Sequence, residues 1–524
     1  MKIIQIFAIL ILPITANLQN PYLNLRSPDF YDYSVYQGIL VDSSGFYITG
    51  NFEKIGISYL QSYLTKKDFE GNTMYNTPNY FPNSSIYYST LGPIVSKDES
   101  IIITQGSLSD TVRNGIITSY TKSTGEIVNS KILRHPLFVG NFGILRMINF
   151  GENKYLIIGI MESFPGNQDM YIAVLDKNFD IQNLHIFQGD TLNSKIPQSV
   201  ILDDKKNIFI GGWVLGRYRQ DYDKTSRAFI IKTDSTGRIH WKYETPDDEQ
   251  WGPISDILLD ENGDIYAAID FVKEKKDTVI NNIYGELRYH PGVLKFDTTE
   301  RKVIWAKTIG LGNYTYYQST VRILEATDGG GFVLAGKVDK YPRELDSFDT
   351  RGWIFKVSPD GDSLWARELQ NLTEGRRTNY IQDLEPLPYG GYVGCGDAIV
   401  RYPPYGPDNP IPIQSWLFTV DEYGCLLPGC EKISNYQETF PKEVKIHMYP
   451  NPAREFLILF ITGIGNNETC NMKIFNSSGK VLKQFEHVEQ NVQYQLSIQD
   501  FSPGMFYISI ENMKGKFTTV FQKF

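Results

Sequence analysis

Three features of this chain of 524 residues predict an all-β fold. Hydrophobic residues make up 41% of the chain and charged residues 21%, a balance typical of globular proteins. Short apolar runs follow one another along the sequence, and clusters of Asp, Asn and Gly separate them as turns separate strands. A unit with four such runs recurs at intervals of about 55 residues, which predicts the four-stranded blade of a β-propeller.

Residues 1–16 predict a signal peptide. Lys2 precedes the apolar stretch 3–14, and the small residues Thr15 and Ala16 come before Asn17. The apolar stretch is shorter than the ~20 residues of a membrane-spanning helix. No later segment is apolar and long enough to cross a bilayer, so we expect an exported protein without a membrane span.

Each repeat unit has two halves. The first half is an apolar run, an Asp/Gly turn and a second run that ends on a small residue, as in residues 38–50. The second half is another hairpin that often closes on Trp, as in 228–241, and the last unit ends with 416–428. Seven units predict a seven-bladed propeller over residues 30–430, with six or eight blades left open. We expect packing between blades for Trp241, Trp305 and Trp365.

The phase of the repeat also predicts which face of the propeller binds a ligand. The turns within each half are tight and share one rim, whereas the long joins between halves and between units share the other. Those long joins are rich in Tyr and Arg, the residue types enriched at recognition hot spots. Polar loops without a ligand would have a similar composition, and this alternative stays open. The candidate binding residues are Tyr218, Arg219, Tyr222, Trp251, Tyr284, Arg288, Tyr289, Tyr341, Arg343, Tyr402 and Tyr405.

The charge of the chain argues against one class of partner and leaves the ligand open. The sequence has 51 Lys and Arg against 60 Asp and Glu, a formal net charge of −9, which argues against nucleic acid. Basic and acidic residues are mixed within the long joins, so neither a polyanion nor a polycation is favoured. The expected ligand is extracellular, and both a glycan and a protein remain open.

The sequence has no recognisable motif of catalysis, metal binding or cofactor binding. Its six histidines include no pair at metal-ligand spacing, and nucleophile-elbow, phosphate-loop and dinucleotide motifs do not occur. Acidic turns at 260–264 and 360–362 lack the closing Glu of a calcium loop and fall where hairpins need turns. We therefore assign no catalytic residue, no metal and no cofactor.

These observations favour a non-enzymatic binding protein that uses the rim of long joins. The alternative is a secreted hydrolase or lyase that acts on polysaccharide or peptide. Its carboxylates or histidines would come from different blades, because such sets are defined by geometry and not by their order in the chain. A structural spacer is a third alternative.

The four cysteines predict one local disulfide. Cys425 and Cys430 enclose the turn sequence Leu-Leu-Pro-Gly just after the last predicted blade strand, and disulfides persist in exported proteins. Cys395 and Cys470 are expected to stay separate. Residues 431–445 are interpreted as a linker.

Residues 446–524 predict a small Ig-like β-sandwich of their own. Two prolines set a turn before the apolar run 456–461, and further short runs follow with turn residues between them. Four motif blocks stand along this segment, namely 449–453, 476–481, Leu496 and 501–507.

In the order and spacing of these blocks, the segment resembles the type A C-terminal sorting domain of the Bacteroidota type IX secretion system. The resemblance implies passage through the periplasm and recognition by the type IX secretion machinery at the outer membrane. It also implies that the domain is usually removed, after which the cargo is released or attached to the cell surface. One departure is Met505, where an aromatic residue directly after the Gly is more usual. The residues that carry the resemblance include Tyr449, Pro450, Asn451, Pro452, Gly479 and Gly504.

Overall fold

A computed structural model describes most of the chain, and its contacts divide the protein into two compact units. One unit spans Tyr22–Gln437, and the other contains Glu438–Phe524. The described residues are 23–27, 33–53, 61–79, 87–90, 95–109, 113–134, 141–164, 167–188, 193–216, 227–246, 251–275, 287–309, 318–327, 330–340, 349–371, 376–401, 413–426, 445–449, 451, 453–462, 469–476, 480–489, 492–512 and 515–523.

The larger unit is built from strands and turns throughout its described residues. Its strands are β1 (Asn24–Ser27), β2 (Tyr33–Asp42), β3 (Gly45–Glu53), β4 (Gln61–Lys67), β5 (Thr73–Asn79), β6 (Tyr87–Thr90), β7 (Val95–Ser96), β8 (Ile101–Ser109), β9 (Arg113–Thr121), β10 (Ile127–Leu133), β11 (Phe142–Asn149), β12 (Tyr155–Phe164), β13 (Asn167–Leu175), β14 (Ile181–Phe187), β15 (Asn193–Leu202), β16 (Ile208–Gly216), β17 (Arg227–Thr233), β18 (Ile239–Glu244), β19 (Trp251–Leu259), β20 (Ile265–Lys275), β21 (Leu287–Asp297), β22 (Lys302–Thr308), β23 (Gln318–Glu325), β24 (Phe332–Lys340), β25 (Asp349–Val357), β26 (Ser363–Leu369), β27 (Arg376–Pro386), β28 (Tyr392–Arg401) and β29 (Ile413–Val420).

These strands pair as four-stranded antiparallel groups, which we call blades and number in chain order. Blade 1 is β2–β5, and blades 3 to 6 are β11–β14, β15–β18, β19–β22 and β23–β26. In blade 2 the first position is shared by β6 and β7, which both pair with β8, and β9 and β10 follow. Blade 7 contains β27, β28 and β29. The described strands thus fall into seven such groups, and a seven-bladed propeller stays a prediction for the whole chain.

The hydrophobic core of this unit lies between the blades. One cluster joins blades 2 and 3 through residues such as Ile117 and Ile157, and another joins blades 3 and 4 through Ile172 and Ile210. Comparable clusters join every other pair of neighbours, including blade 7 with blade 1. Each sheet therefore buries both faces against its neighbours, and the described blades follow one another around a closed ring.

The ring closes because blade 7 takes its outer strand from the beginning of the chain. β1 pairs antiparallel with β29, with Asn24 opposite Phe418 and Ser27 opposite Ser415. The repeat pattern predicts that the hairpin 416–428 supplies this strand, and that prediction is wrong. Residues 421–426 form a turn and its continuation, and β1 fills the outer position. β1 also lies before residue 30, the predicted start of the propeller.

The predicted packing of the tryptophans between blades is confirmed. Trp241 of blade 4 is buried against Phe296 of blade 5, with ring centroids 5.6 Å apart. Trp305 and Trp365 each lie over a glycine in the outer turn of the following blade, Gly361 and Gly424. The tryptophans are thus structural residues of the blade interfaces.

The cysteines of the described residues fall into two kinds. Cys425, in the turn after β29, is disulfide-bonded, whereas Cys395 and Cys470 are buried and form no disulfide. Cys430 lies outside the described residues, so its pairing with Cys425 stays a prediction.

In its described residues, the smaller unit has seven strands in two sheets around a core of its own. One sheet has the order β30-β31-β34 and the other β33-β32-β35-β36. Leu457, Ile474 and Phe521 belong to the buried cluster of this unit. The strands are β30 (Lys445–Tyr449), β31 (Phe456–Thr462), β32 (Thr469–Asn476), β33 (Val481–Glu489), β34 (Gln493–Ser497), β35 (Gly504–Asn512) and β36 (Gly515–Lys523).

The prediction of an all-β chain with propeller blades and a strand-rich C-terminal domain is confirmed by this architecture. Among the described residues, no helix is long and apolar enough to span a membrane. The exact bounds proposed for the domains and the linker at 431–445 stay predictions.

We expect Gly361→Ala to destabilise the propeller more than Gly263→Ala. Both glycines have positive φ, +80° for Gly361 and +83° for Gly263, where an L-residue costs roughly 1–2 kcal/mol. A Cβ at Gly361 would lie 2.6 Å from the Trp305 ring of the preceding blade, whereas a Cβ at Gly263 meets nothing within 4 Å. Overpacking should add about 1–3 kcal/mol at Gly361 only. Unfolding of both variants in denaturant measures the difference, and equal losses would contradict this interpretation of the contact.

Candidate functional site

The strand pairings define two rims of the propeller. Tight turns such as the one between Asp42 and Gly45 join the first two strands of a blade and lie at one rim. The second and third strands of a blade are joined at the opposite rim, where Lys275 pairs with Leu287 and Lys340 with Asp349. We call this opposite edge the long-join rim. The strands that flank the predicted binding segments end there.

Only part of the predicted binding set falls within the described residues. Trp251 begins β19 near the long-join rim, where it is partly buried and packs edge-on against Phe271 with ring centroids 5.6 Å apart. Arg288 and Tyr289 belong to β21, paired with Glu274 and Val272. The remaining residues lie outside the described residues: Tyr218, Arg219, Tyr222, Tyr284, Tyr341, Arg343, Tyr402 and Tyr405.

The acidic turn at 260–264 holds backbone amides through its first carboxylate. Asp260 accepts hydrogen bonds from the amides of Asn262 and Asp264 at 2.9 and 2.8 Å. The ammonium group of Lys295 lies 3.7 Å from the Asp260 carboxylate. These contacts are those of a hairpin turn. In the part of the chain that the structure describes, no group of three or more His, Cys, Asp and Glu could hold a metal ion.

The first strands of the blades carry a second candidate site at the centre of the ring. The first strands of neighbouring blades, such as β19 with β23 and β2 with β27, contact one another there. Five of these strands carry a polar or charged residue directly after a β-bulge, where the pairing register shifts. These residues are Arg146, Ser199, Asp256, Arg322 and Asp383.

Arg322 lies among three carboxylates, one from β19 and two from β27. Its guanidinium nitrogens lie 3.3 Å from Asp256, 3.4 Å from Asp383 and 2.6 Å from Glu385. About a quarter of the Arg322 side chain and a fifth of the Glu385 side chain are exposed, whereas both aspartates are 7% exposed. We call these four residues the central cluster.

The same aspartates also join neighbouring blades through the backbone. Asp256 of blade 5 accepts a hydrogen bond from Ser199 of blade 4 at 2.6 Å and one from the amide of Ile323 of blade 6 at 3.2 Å. Asp383 of blade 7 accepts one from the amide of Ile39 of blade 1 at 3.0 Å. The central cluster is thus a set of bridges between blades.

Burial is the main influence on the protonation of the central cluster. Burial raises the pKa of Glu385 from 4.5 to about 7, because Arg322 offsets only part of the effect of burial and the nearby aspartates add to it. Burial likewise raises the pKa of Asp383 above its ordinary value, with Arg322 opposing. Burial alone would lower the pKa of Arg322, but the three carboxylates outweigh it and raise that pKa. Glu385 therefore titrates close to neutral pH.

A further buried carboxylate lies nearer the long-join rim. Asp397 on β28 accepts a hydrogen bond from Gln382 at 3.0 Å, and burial raises its pKa to about 6 against the opposing effects of Gln382 and Lys337. Lys337 of blade 6 lies over the ring of Tyr380 of blade 7, 4.6 Å from its centroid. This group also spans two blades.

No sequence motif identifies the central cluster. Asp256, Arg322 and Asp383 are at least 61 residues apart in the sequence and come together only across blades. One feature of the sequence does point to the cluster. Each of these charged residues comes directly before an aliphatic residue in the first apolar run of its repeat unit, at Ile257, Ile323 and Leu384.

The sorting motif of the smaller unit contacts the last strand. The side-chain carbonyl of Asn451 accepts a hydrogen bond from the amide of Gln522 at 3.0 Å. Tyr449 ends β30, and Gly504 begins β35 with a φ of +152°. Pro450, Pro452 and Gly479 lie outside the described residues.

Comparison with known families identifies the smaller unit. Residues 447–523 match the family of secretion system C-terminal sorting domains, which confirms the resemblance to the type IX sorting domain. A domain of this kind interacts with the type IX secretion machinery. It implies export through the periplasm to the cell surface or the extracellular space.

The chain is also distantly similar to solved structures. The chain is similar to the periplasmic gluconolactonase PpgL of Pseudomonas aeruginosa at 10% identity and a TM-score of 0.41, covering 75% of this chain and 98% of that one. It is also similar to YCF48 from Cyanidioschyzon merolae at 11% identity and a TM-score of 0.36, covering 75% and 98%. No curated protein matches the chain. These values carry no argument about function.

We expect Arg322→Ala to destabilise the propeller by roughly 3 kcal/mol, because it leaves three carboxylates without their main counter-ion. Arg322→Lys should recover part of the loss, since one ammonium group cannot contact all three carboxylates at once. Denaturant unfolding of both variants measures the effect. Equal stability of the Ala variant and the unsubstituted protein would show that the cluster does not hold the blades together.

The raised pKa of Glu385 predicts a pH dependence of stability. Because the folded state binds a proton more tightly than the unfolded state, the contribution of Glu385 is fully present below about pH 4.5 and is lost as pH rises through about 7. Glu385→Gln removes the titration, so the stability of the unsubstituted protein relative to this variant should fall over that window. Thermal or denaturant unfolding at several pH values measures this difference. A difference that stays constant with pH would contradict the assignment.

Proposed function

We propose that this protein is an exported propeller that binds an extracellular glycan or protein at its long-join rim and performs no catalysis. The main support for this proposal is that the strands flanking the Tyr- and Arg-rich segments all end at one rim. Loops grouped on a rigid scaffold are where recognition is usually found. A signal peptide at residues 1–16 and a Bacteroidota source belong to the same proposal.

The rigidity of the scaffold supports binding at the rim. Each blade buries both faces against its neighbours, so the strand ends at the long-join rim are fixed relative to one another. Segments anchored to fixed strand ends lose less conformational entropy when a ligand binds than segments anchored to mobile ones. Tyr and Arg side chains in such loops can contribute large apolar area and charged hydrogen bonds to one surface.

The engagement of the central carboxylates supports a binding role over the alternative of a hydrolase or lyase. Asp256 and Asp383 accept hydrogen bonds from backbone amides of neighbouring blades, and Glu385 is paired with Arg322. A general acid or base has to exchange its proton with a substrate. Groups that hold blades together are poorly suited to that task.

The binding proposal predicts that single aromatic residues of the long-join rim dominate affinity. The purified mature protein is tested on glycan and peptide arrays, and each hit is measured by calorimetry with Tyr218→Ala, Tyr222→Ala and Tyr341→Ala. A hot-spot tyrosine should cost about 2 kcal/mol, close to 30-fold in Kd. The matched control is Tyr423→Ala, an exposed tyrosine in a tight turn at the opposite rim, which should leave Kd unchanged.

Two outcomes would count against this proposal. Loss of affinity in Tyr423→Ala and not in the long-join variants would move the site to the other rim. Turnover of a polysaccharide or peptide, detected as new reducing ends, unsaturated products or new amino termini, would favour the hydrolase or lyase.

The export of the protein should depend on the smaller unit and not on the long-join rim. Deletion of residues 446–524 should leave the protein in the periplasm, whereas replacement of residues 217–226 by a short Gly/Ser linker should not. Cell fractionation and mass spectrometry of the mature ends measure both. If the deletion variant reached the surface or the medium, the smaller unit would not be needed for sorting.

A further inference from the structure

The motif segment of the sorting domain is bound to the end of the last strand. Asn451 accepts a hydrogen bond from the Gln522 amide at 3.0 Å and donates one to the Val520 carbonyl at 3.5 Å. The Ala453 amide donates to the Gln522 carbonyl at 2.8 Å, and Ala453 forms a parallel bridge with Lys523. The motif therefore extends the pairing of β36 on the side opposite β35.

A second motif block meets the same strand end from within the core. The ring of Phe501 packs against Phe506 at a tilt, with centroids 4.8 Å apart. The ring of Phe506 stacks on Phe521, with centroids 5.4 Å apart. Ala453, Phe501 and Phe521 belong to one buried cluster. Both motif blocks thus act on the same few residues of β36, one through hydrogen bonds and one through packing.

The exposure of these residues separates their roles. Ala453 and Phe521 are buried, whereas Asn451 and Gln522 are exposed. The fold of the unit does not need an exposed asparagine for its core. Its side chain satisfies an amide and a carbonyl at the edge of β36 that would otherwise face solvent.

We propose that Asn451 is a positioning residue for sorting, which acts by holding the end of β36 in place and is not itself the group that the secretion machinery contacts. The proposal rests on the sorting function of the smaller unit. The positioning role depends on the side-chain oxygen of Asn451, because this oxygen accepts the shorter of the two side-chain hydrogen bonds.

The test compares Asn451→Ala with Asn451→Asp in the full chain. The Ala variant loses both side-chain bonds, so exchange of the Gln522 amide with deuterium should accelerate about fivefold, the factor expected for one ordinary hydrogen bond. Export of this variant should fall with it. Asp keeps an oxygen for the Gln522 amide but lacks the amide donor, so both protection and export should be largely retained.

Two controls separate this proposal from others. Asn471→Ala removes an exposed asparagine from β32 of the same unit and should change neither export nor Gln522 exchange. Deletion of 446–524 reports whether the smaller unit directs sorting at all, independently of Asn451. Exchange of core amides such as Ile474 shows whether each variant is folded.

The proposal is overturned by any of three results. Export that fails in Asn451→Asp while the Gln522 amide stays protected would mean that the machinery reads the side chain directly. Export that persists in Asn451→Ala despite fast Gln522 exchange would mean that the strand end need not be held. Loss of export in Asn451→Ala with unchanged exchange would remove the link between the two.

Discussion

The structure of the propeller depends on the closure of its ring between blade 7 and blade 1. β1 supplies the outer strand of blade 7, and Leu23 both donates to the Thr419 hydroxyl at 2.7 Å and accepts from its amide. Asp383 reaches the Ile39 amide, and Ser415 lies 3.0 Å from the hydroxyl of Tyr63. Without this closure two apolar sheet faces would lose their partners, because every blade buries its faces against neighbours alone.

The central cluster shows how charge is tolerated inside an apolar architecture. Desolvation of ionised groups is costly, and burial of an ion pair by itself is weak evidence of stability. Here each aspartate also satisfies a backbone amide of another blade, so the carboxylates replace water for groups at the centre that strand pairing cannot reach. The cluster has three carboxylates and one guanidinium, and the pKa of Glu385 is raised by burial.

The sequence predicts features that depend on contacts between neighbouring residues. It does not predict features that depend on contacts between residues far apart in the chain. Hairpins are local, so the alternation of apolar runs and turns predicts the blades, and the tryptophans tied to the repeat predict the packing between them. The smaller unit was recognisable because its motif blocks mark turns within 80 residues. The central cluster and β1 could not be predicted in this way, because their partners are far away in the sequence. Arg322 is paired with residues 66, 61 and 63 positions away, distances that no local pattern encodes.

The origin of the outer strand of blade 7 has a consequence for folding kinetics. The hydrogen bond between Leu23 and Thr419 joins residues 396 positions apart, so it belongs to the slowest class of contacts to form. Until it forms, β29 presents an unpaired edge, and β1 and β29 have to meet before either pairs with another molecule. An exported chain emerges from its amino end, so β1 stays unpaired until β29 has emerged as well.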